Sequence, residues 1–179
     1  MNNYFVILAA GKGRRFSQNK LKQYFNHEGK LLVEHSIDKA LKSKLFKKII
    51  VVTSNKNKKF INKYKRKKII FVAGGNERKD SSLNALKKIR NYKPNNVLIH
   101  DAARPNFSIA LLKNLIKHLK NNYAVVPTIN PTDSIKYKVN NKLINLNRNS
   151  AYLTQTPQAF KFKKLYNLAI KENDIITDE

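Results

Sequence analysis

"YFVILAAGKGRRF", residues 4–16, is the stretch from which the fold of this chain can be read. Tyr4–Ala9 is a short, continuous apolar run ending in glycines, the pattern of a strand buried on both faces. Such a strand needs cover on each side, and the sequence that follows supplies it. Lys48–Thr53 ("KIIVVT"), Lys68–Ala73 ("KIIFVA"), Asn96–His100 ("NVLIH") and Tyr123–Thr128 repeat the strand pattern. Between them lie helical segments. Val33, Ile37, Ala40 and Leu41 recur at helical spacing, and Ser54–Tyr64 reads as a polar, Lys-rich helix. Asp80–Ile89 carries Leu83, Leu86 and Ile89 on one face, and Ser108–Lys120 is amphipathic with Ser108 as its N-cap. Strands alternating with helices predict an α/β fold, a mostly parallel sheet with helices on both faces.

The rhythm changes after Pro131. Ser134–Val139 and Lys142–Leu146 are short alternating runs around Asn140-Asn141, the signature of a hairpin. A protruding β-hairpin arm is therefore expected over about residues 131–150 of a single domain, 1–179. A helix is expected at Lys161–Lys171. Thr177-Asp178-Glu179 reads as the cap and first turn of a further helix, so a C-terminal helix and strand are expected to be missing.

Lys and Arg number 37 against 11 Asp and Glu, a net charge of +26. A nucleic-acid partner is one reading of that charge. The lysines, however, recur in every segment, helix backs included, and are not interleaved with aromatics as in single-strand binders. General surface enrichment fits better, and no specific nucleic-acid partner is expected. An anionic substrate would still be drawn in. There is no cysteine, which excludes disulfides and thiolate metal sites and suits a cytoplasmic setting. The apolar run Tyr4–Ala10 is too short to span a bilayer, and no membrane partner is expected.

Four polar clusters fall at the carboxyl ends of the predicted strands, the edge where open α/β sheets bind ligands. In the first, Gly11 and Gly13 let the backbone approach an anion, and Arg15 and Lys22 add full charges. It is not a phosphate loop of the Gly-Lys-Ser/Thr kind and lacks the third glycine of the dinucleotide fingerprint; a plain strand-to-helix turn is the alternative. The second, "AGGNERKDSSLNAL" (73–86), offers Gly74-Gly75 for close approach, while Asp80 or Ser81 could simply cap the next helix. Arg78 beside Glu77 reads as an ion pair. The third, "LIHDAARP" (98–105), places Asp101 after a buried strand, a common way to hold Mg²⁺ near phosphates. Arg104 suits a bidentate phosphate grip or a pair with Asp101, and His100 reads as a packed or hydrogen-bonding residue. The fourth comprises "PTDSIK" (131–136) and "NRNSAYLTQTPQAF" (147–160), with Arg148 and the turn Thr156-Pro157-Gln158. No cluster contains a nucleophile–base constellation. Backbone N–H loops, Arg, Lys and one placed Asp are equipment for phosphate chemistry by positioning and charge stabilisation.

In order along the chain, "LAAGKGRRF", "KQYF", "VEHS", "GGNERKDSSLNAL", "HDAARP", "PTDSIK", "NRNSAYLTQTPQAF" and "TDE" resemble the 2-C-methyl-D-erythritol 4-phosphate cytidylyltransferases of the non-mevalonate isoprenoid pathway. The resemblance implies a Rossmann-like nucleotidyltransferase fold and transfer of a cytidylyl group from CTP to a sugar-alcohol phosphate, releasing pyrophosphate. It implies that Ala10, Gly11, Gly13, Gly75 and Ser81 hold the nucleotide. Arg15 and Lys22 would be catalytic, neutralising the triphosphate, and Asp101 would position Mg²⁺ and the nucleotide. Arg104, Ser134, Arg148 and Thr156 would line the pocket for the second substrate. It also implies a homodimer through the arm, with Ser134 and Arg148 serving the partner's site. Ribitol-5-phosphate cytidylyltransferases share most of these motifs and are the alternative. Three departures stand out: Leu21 where the family has proline before the lysine of "KQY", Ser134 where threonine is common, and the end at "TDE" before a further helix, strand and phosphate-binding lysine. Weak or absent turnover by this chain alone is the expectation from the third.

Overall fold

The computed structural model describes residues 1–11, 21–54, 60, 62–64 and 68–171. Gly13 and Arg15, most of the proposed Ser54–Tyr64 helix and the "TDE" end lie outside the described residues. In chain order the strands are β1 (Asn3–Leu8), β2 (Asn26–His27), β3 (Lys30–Leu31), β4 (Lys48–Thr53), β5 (Ile69–Ala73), β6 (Asn96–Asp101), β7 (Ala124–Val125), β8 (Thr128–Ile129), β9 (Ile135–Val139), β10 (Lys142–Leu146), β11 (Leu153–Thr154) and β12 (Gln158–Lys161). The α-helices are α1 (Leu32–Ser43), α2 (Arg78–Ile89), α3 (Ile109–His118) and α4 (Phe162–Lys171).

Among the described residues the main sheet has six strands in the order β5-β4-β1-β6-β12-β7. β5, β4, β1 and β6 pair in parallel, whereas β12 runs antiparallel to both β6 and β7. The expected mostly parallel α/β sheet is present. Alternation along β1 shows why helices cover both faces: successive side chains of a strand point to opposite sides. Phe5 and Ile7 join a core with α1 and α3 residues Val33, Ile37, Leu112 and Leu115. Tyr4 and Val6 face the other way, packing with Ala85, Leu86 and Ile89 of α2 and Phe162 of α4.

Local signals place several boundaries. Ser108 caps α3, its hydroxyl accepting from the Leu111 N–H at 3.0 Å. Asn140 and Asn141 both adopt positive φ, 46° and 63°, in the two-residue turn joining β9 to β10. Such a turn matches the strand twist, and Asn tolerates it. At the start of α2 the cap position is Glu77, not Asp80 or Ser81; Asp80 instead reaches back to accept from the Glu77 N–H at 3.0 Å. The strand expected at Tyr123–Thr128 is divided. Ala124–Val125 pairs with β12, while Thr128–Ile129 pairs with β11. Pro127 lies between and has no N–H for a ladder bond.

Candidate active site

Strand order locates the site. The chain runs from β1 outward to β4 and β5 on one side, then crosses to β6 on the other side of β1. The reversal lies between β1 and β6, and ligands bind outside the carboxyl ends of strands at such a switch point. The register brings Leu8 opposite both Val52 and Asp101. Backbone bonds then extend the pairing past the strand ends. Ala9 N–H donates to Val52 O at 2.8 Å, Ala102 N–H to Leu8 O at 3.0 Å, and Gly74 N–H to Thr53 O at 3.2 Å. The loops after β1, β5 and β6 are thus held at one edge.

Close packing joins the first two loops. A Cβ at Gly74 would sit 2.2 Å from the Ala10 Cβ, so the glycine is what lets the "AGG" turn lie against the β1 loop. A Cβ at Gly75 would meet Asp80 at 2.1 Å. Gly75 N–H donates to Ser81 Oγ at 3.0 Å, so these two expected nucleotide-binding residues are tied to each other. At Gly11, by contrast, a Cβ would meet nothing within 4 Å among the described residues.

The third loop carries the charge. The Asp101 carboxylate lies between two guanidiniums: Arg78 Nε donates to Oδ1 at 3.3 Å, and Arg104 Nε is 3.7 Å from Oδ2. Arg78 therefore pairs with Asp101 rather than with its neighbour Glu77, which instead lies 3.7 Å from Lys79. Arg104 also donates to Gln155 Oε1 at 3.2 Å. Behind Asp101, antiparallel β12 delivers Thr156, followed by a cis peptide bond to Pro157. Asp101 N–H donates to Thr156 Oγ1 at 3.3 Å, and that hydroxyl is 3.0 Å from His100 Nδ1. His100 is fully buried. Burial first, then the charges of Arg104 and Lys39, hold its imidazole down to about 3, and a backbone hydrogen bond with Arg104 opposes this. His100 is a neutral, packed hydrogen-bonding residue, as expected.

Among the described residues no group of three or more His, Asp or Glu could hold a metal ion by itself. Mg²⁺ asks for less. It is commonly held by one or two carboxylates together with substrate phosphates. The partly exposed Asp101 carboxylate is one hard oxygen donor of that kind.

The remaining expected residues are distributed unevenly. Lys22 begins a 3₁₀ turn, Lys22–Tyr24, and is exposed. Ser134 and Arg148 are exposed at the two feet of the β9–β10 arm, where Arg148 Nη1 donates to Thr132 O at 3.4 Å. Two residues without an assigned role emerge beside Lys22. Gln23 Nε2 donates to Ala9 O at 3.0 Å and Gly11 O at 2.7 Å. The Tyr24 hydroxyl donates to Ala9 O at 2.9 Å and shares a hydrogen bond with Thr53 Oγ1 at 2.6 Å. Nothing in the spacing of "KQYF" marks Gln23 for burial, so periodicity could not have found it.

Comparison with known proteins places this arrangement. Residues 4–179 match the family model described as IspD, 2-C-methyl-D-erythritol 4-phosphate cytidylyltransferase. The chain is 47% identical over 179 residues to the bifunctional enzyme IspD/IspF of Pelagibacter ubique, covering 100% of this chain and 48% of that protein. It thus spans about half the length of that bifunctional relative. It is 38% identical over 186 residues to a 2-C-methyl-D-erythritol 4-phosphate cytidylyltransferase of Thermosipho melanesiensis, covering 99% of this chain and 82% of that one. The crystal structure of 4-diphosphocytidyl-2C-methyl-D-erythritol synthase from Anaerococcus prevotii superimposes with a TM-score of 0.86 at 26% identity, covering 99% of this chain and 80% of that one. The switch-point loops belong to a nucleotidyltransferase fold, and the chain belongs to the 2-C-methyl-D-erythritol 4-phosphate cytidylyltransferase family of isoprenoid biosynthesis.

Proposed function

We propose that the cluster at the β1/β6 switch point transfers a cytidylyl group from CTP to 2-C-methyl-D-erythritol 4-phosphate, giving 4-diphosphocytidyl-2-C-methyl-D-erythritol and pyrophosphate. One observation carries this reading: the loops after β1, β5 and β6 meet through Gly74 against Ala10 and the shared register of Leu8 and Asp101. Ala10, Gly11, Gly13, Gly75 and Ser81 hold the nucleotide, with Gly13 and Arg15 assigned from the family motif alone.

The chemistry is displacement at the α-phosphorus. A phosphate oxygen of the alcohol forms the new P–O bond as the bond to the β-phosphate oxygen breaks and pyrophosphate departs. The attacking oxygen is already an anion, so no general base is required, and neutral His100 is not asked to be one. The obstacle is bringing two anions together and spreading charge over five-coordinate phosphorus. Lys22 and Arg15 neutralise the triphosphate. Asp101 would hold Mg²⁺, which would supply shielding of phosphate charge, and Arg78 and Arg104, which flank that carboxylate, would take up phosphate oxygens. Arg104, Ser134, Arg148 and Thr156 receive the second substrate.

The arm supports a homodimer. Leu143 is 67% exposed and Tyr137 45%, with Val139, Ile144 and Leu146 also exposed. Such apolar surface on a two-stranded hairpin asks for a partner, and Ser134 and Arg148 at its feet would then serve the partner's site. Among the described residues no helix is long and apolar enough to cross a membrane, and the lack of cysteine suits a cytoplasmic enzyme.

Pyrophosphate release from CTP and Mg²⁺, run with methylerythritol phosphate and ribitol 5-phosphate in parallel, tests the reading. CTP binding, with release for the first alcohol exceeding that for the second at whatever rate this chain alone supports, is the expected result. Preference for ribitol 5-phosphate, or no CTP binding by calorimetry, would overturn it.

A further inference from the structure

The 3₁₀ turn Lys22–Tyr24 backs onto the carbonyl side of the β1 loop, and its central residue is buried there. Gln23 is 5% exposed. A glutamine amide has two N–H hydrogens, and here the nitrogen spans two carbonyls of the same loop, Ala9 O and Gly11 O. The orientation has a consequence for the opposite side. In a trans peptide the C=O and the following N–H point in opposite directions. Fixing Ala9 O on Gln23 therefore turns the Ala10 N–H away from Gln23. Fixing Gly11 O removes a second carbonyl oxygen from the surface an anion would meet. A loop with these carbonyls turned outward would repel a triphosphate; with them tied back it presents donors. Tyr24 reinforces the arrangement, joining Ala9 O to Thr53 Oγ1 at the end of β4. Because Lys22 precedes Gln23 in the same turn, the clamp also fixes where its backbone stands relative to the loop.

We infer that Gln23 is a positioning residue for cytidylyl transfer: it holds the Ala9–Ala10 peptide with its N–H turned away from Gln23, ties back the Gly11 carbonyl and sets Lys22 beside them. The inference rests on reading this loop as the nucleotide site. Gln23→Leu keeps the bulk and removes both donors. Calorimetry with CTP and Mg²⁺ should show affinity falling about tenfold or more, the order expected for two lost hydrogen bonds. Affinity for methylerythritol phosphate, measured alone, should stay within about twofold, a split that general loosening of the fold would not give. In the Lys22→Ala background the same change should lower the pyrophosphate-release rate by less than half the factor it does alone, because the lysine it positions is gone. Should Gln23→Leu not fold, Gln23→Asn retains the amide but is one methylene too short to reach both carbonyls, and the same selective loss is expected. Folded variant protein with CTP affinity within twofold of the parent overturns the inference, as does an equal loss for both ligands. If the parent chain binds no CTP, the nucleotide reading itself falls and takes this one with it; the two failures are told apart by the parent's titration.

Discussion

The strand-end cluster and the arm solve opposite problems. In the cluster, polar groups are tied inward: Gln23 to Ala9 and Gly11, Gly75 to Ser81, Asp101 to Arg78 and Thr156. In the arm, β9 and β10 complete each other's ladder, but Leu143, Ile144 and Leu146 remain open to water. The cluster's polar groups satisfy one another, Asp101 lying between Arg78 and Arg104. The arm is satisfied in its backbone only, and the apolar side chains it exposes find no cover in its own body. One region satisfies its polar groups internally; the other leaves its apolar side chains exposed.

That contrast can be pressed hardest at the cluster's charges. Lys22→Ala should lower turnover by about 10²–10³, roughly 3 kcal/mol of transition-state stabilisation, with the thermal midpoint unchanged. Arg15→Ala is expected to behave alike, and near-normal turnover in either removes that residue from the mechanism. Next comes the packing that joins the loops. Gly74→Val drives a branched side chain into Ala10 and should cost about 1–3 kcal/mol in urea denaturation while also weakening CTP binding. Loss of stability without loss of binding would mean the two loops need not touch to hold a nucleotide.

Acid probes the same region more gently. The unfolded chain protonates His100 near its ordinary value, whereas the folded chain refuses the proton down to about 3. Between those values the unfolded state binds more protons, so stability falls as pH falls through that window, by at most about 1.4 kcal/mol per pH unit from this group. Below about 3 both states are protonated and the contribution stops changing. His100→Gln should flatten the slope of urea midpoints with pH; an unchanged slope would assign the acid sensitivity elsewhere. The smallest effect belongs to the arm. Leu143→Ser should leave the unfolding free energy of the dilute chain, from urea denaturation, within about 0.5 kcal/mol of the parent's, yet shift sedimentation toward monomer. A large drop in the dilute chain's stability would show the arm packing on its own body.

Much of this was legible because it is local. The run "KIIVVT" gave β4 with its bounds unchanged, Ser108 announced α3, and Asn140-Asn141 announced the arm's turn. What escaped depends on distant partners. β12 is a four-residue strand directly after Pro157 with no alternation to mark it; it exists because β6 and β7 leave a place between them. The continuous look of Tyr123–Thr128 hid Pro127, whose missing N–H divides two pairings. Sequence adjacency pairs Arg78 with Glu77, but helix geometry turns it across to Asp101 at the end of β6. Gln23 is the sharpest case: a buried glutamine is dictated by the carbonyls it meets, and those belong to a loop whose path a linear pattern does not contain.

The short pairing of β8 with β11 has a bearing on how such a chain can vary. Leu153 stands opposite Ile129 and Thr154 opposite Thr128, so everything from 130 to 152 is an excursion that leaves and re-enters the body at one pinch point. The sheet registers only the two ends. Lengthening, shortening or exchanging the excursion changes the loop-closure entropy slowly, as the logarithm of its length, and re-threads nothing in β6, β12 or β7. The reach of the arm is thus a free parameter of the architecture, open to adjustment while the loops at the strand ends stay where they are.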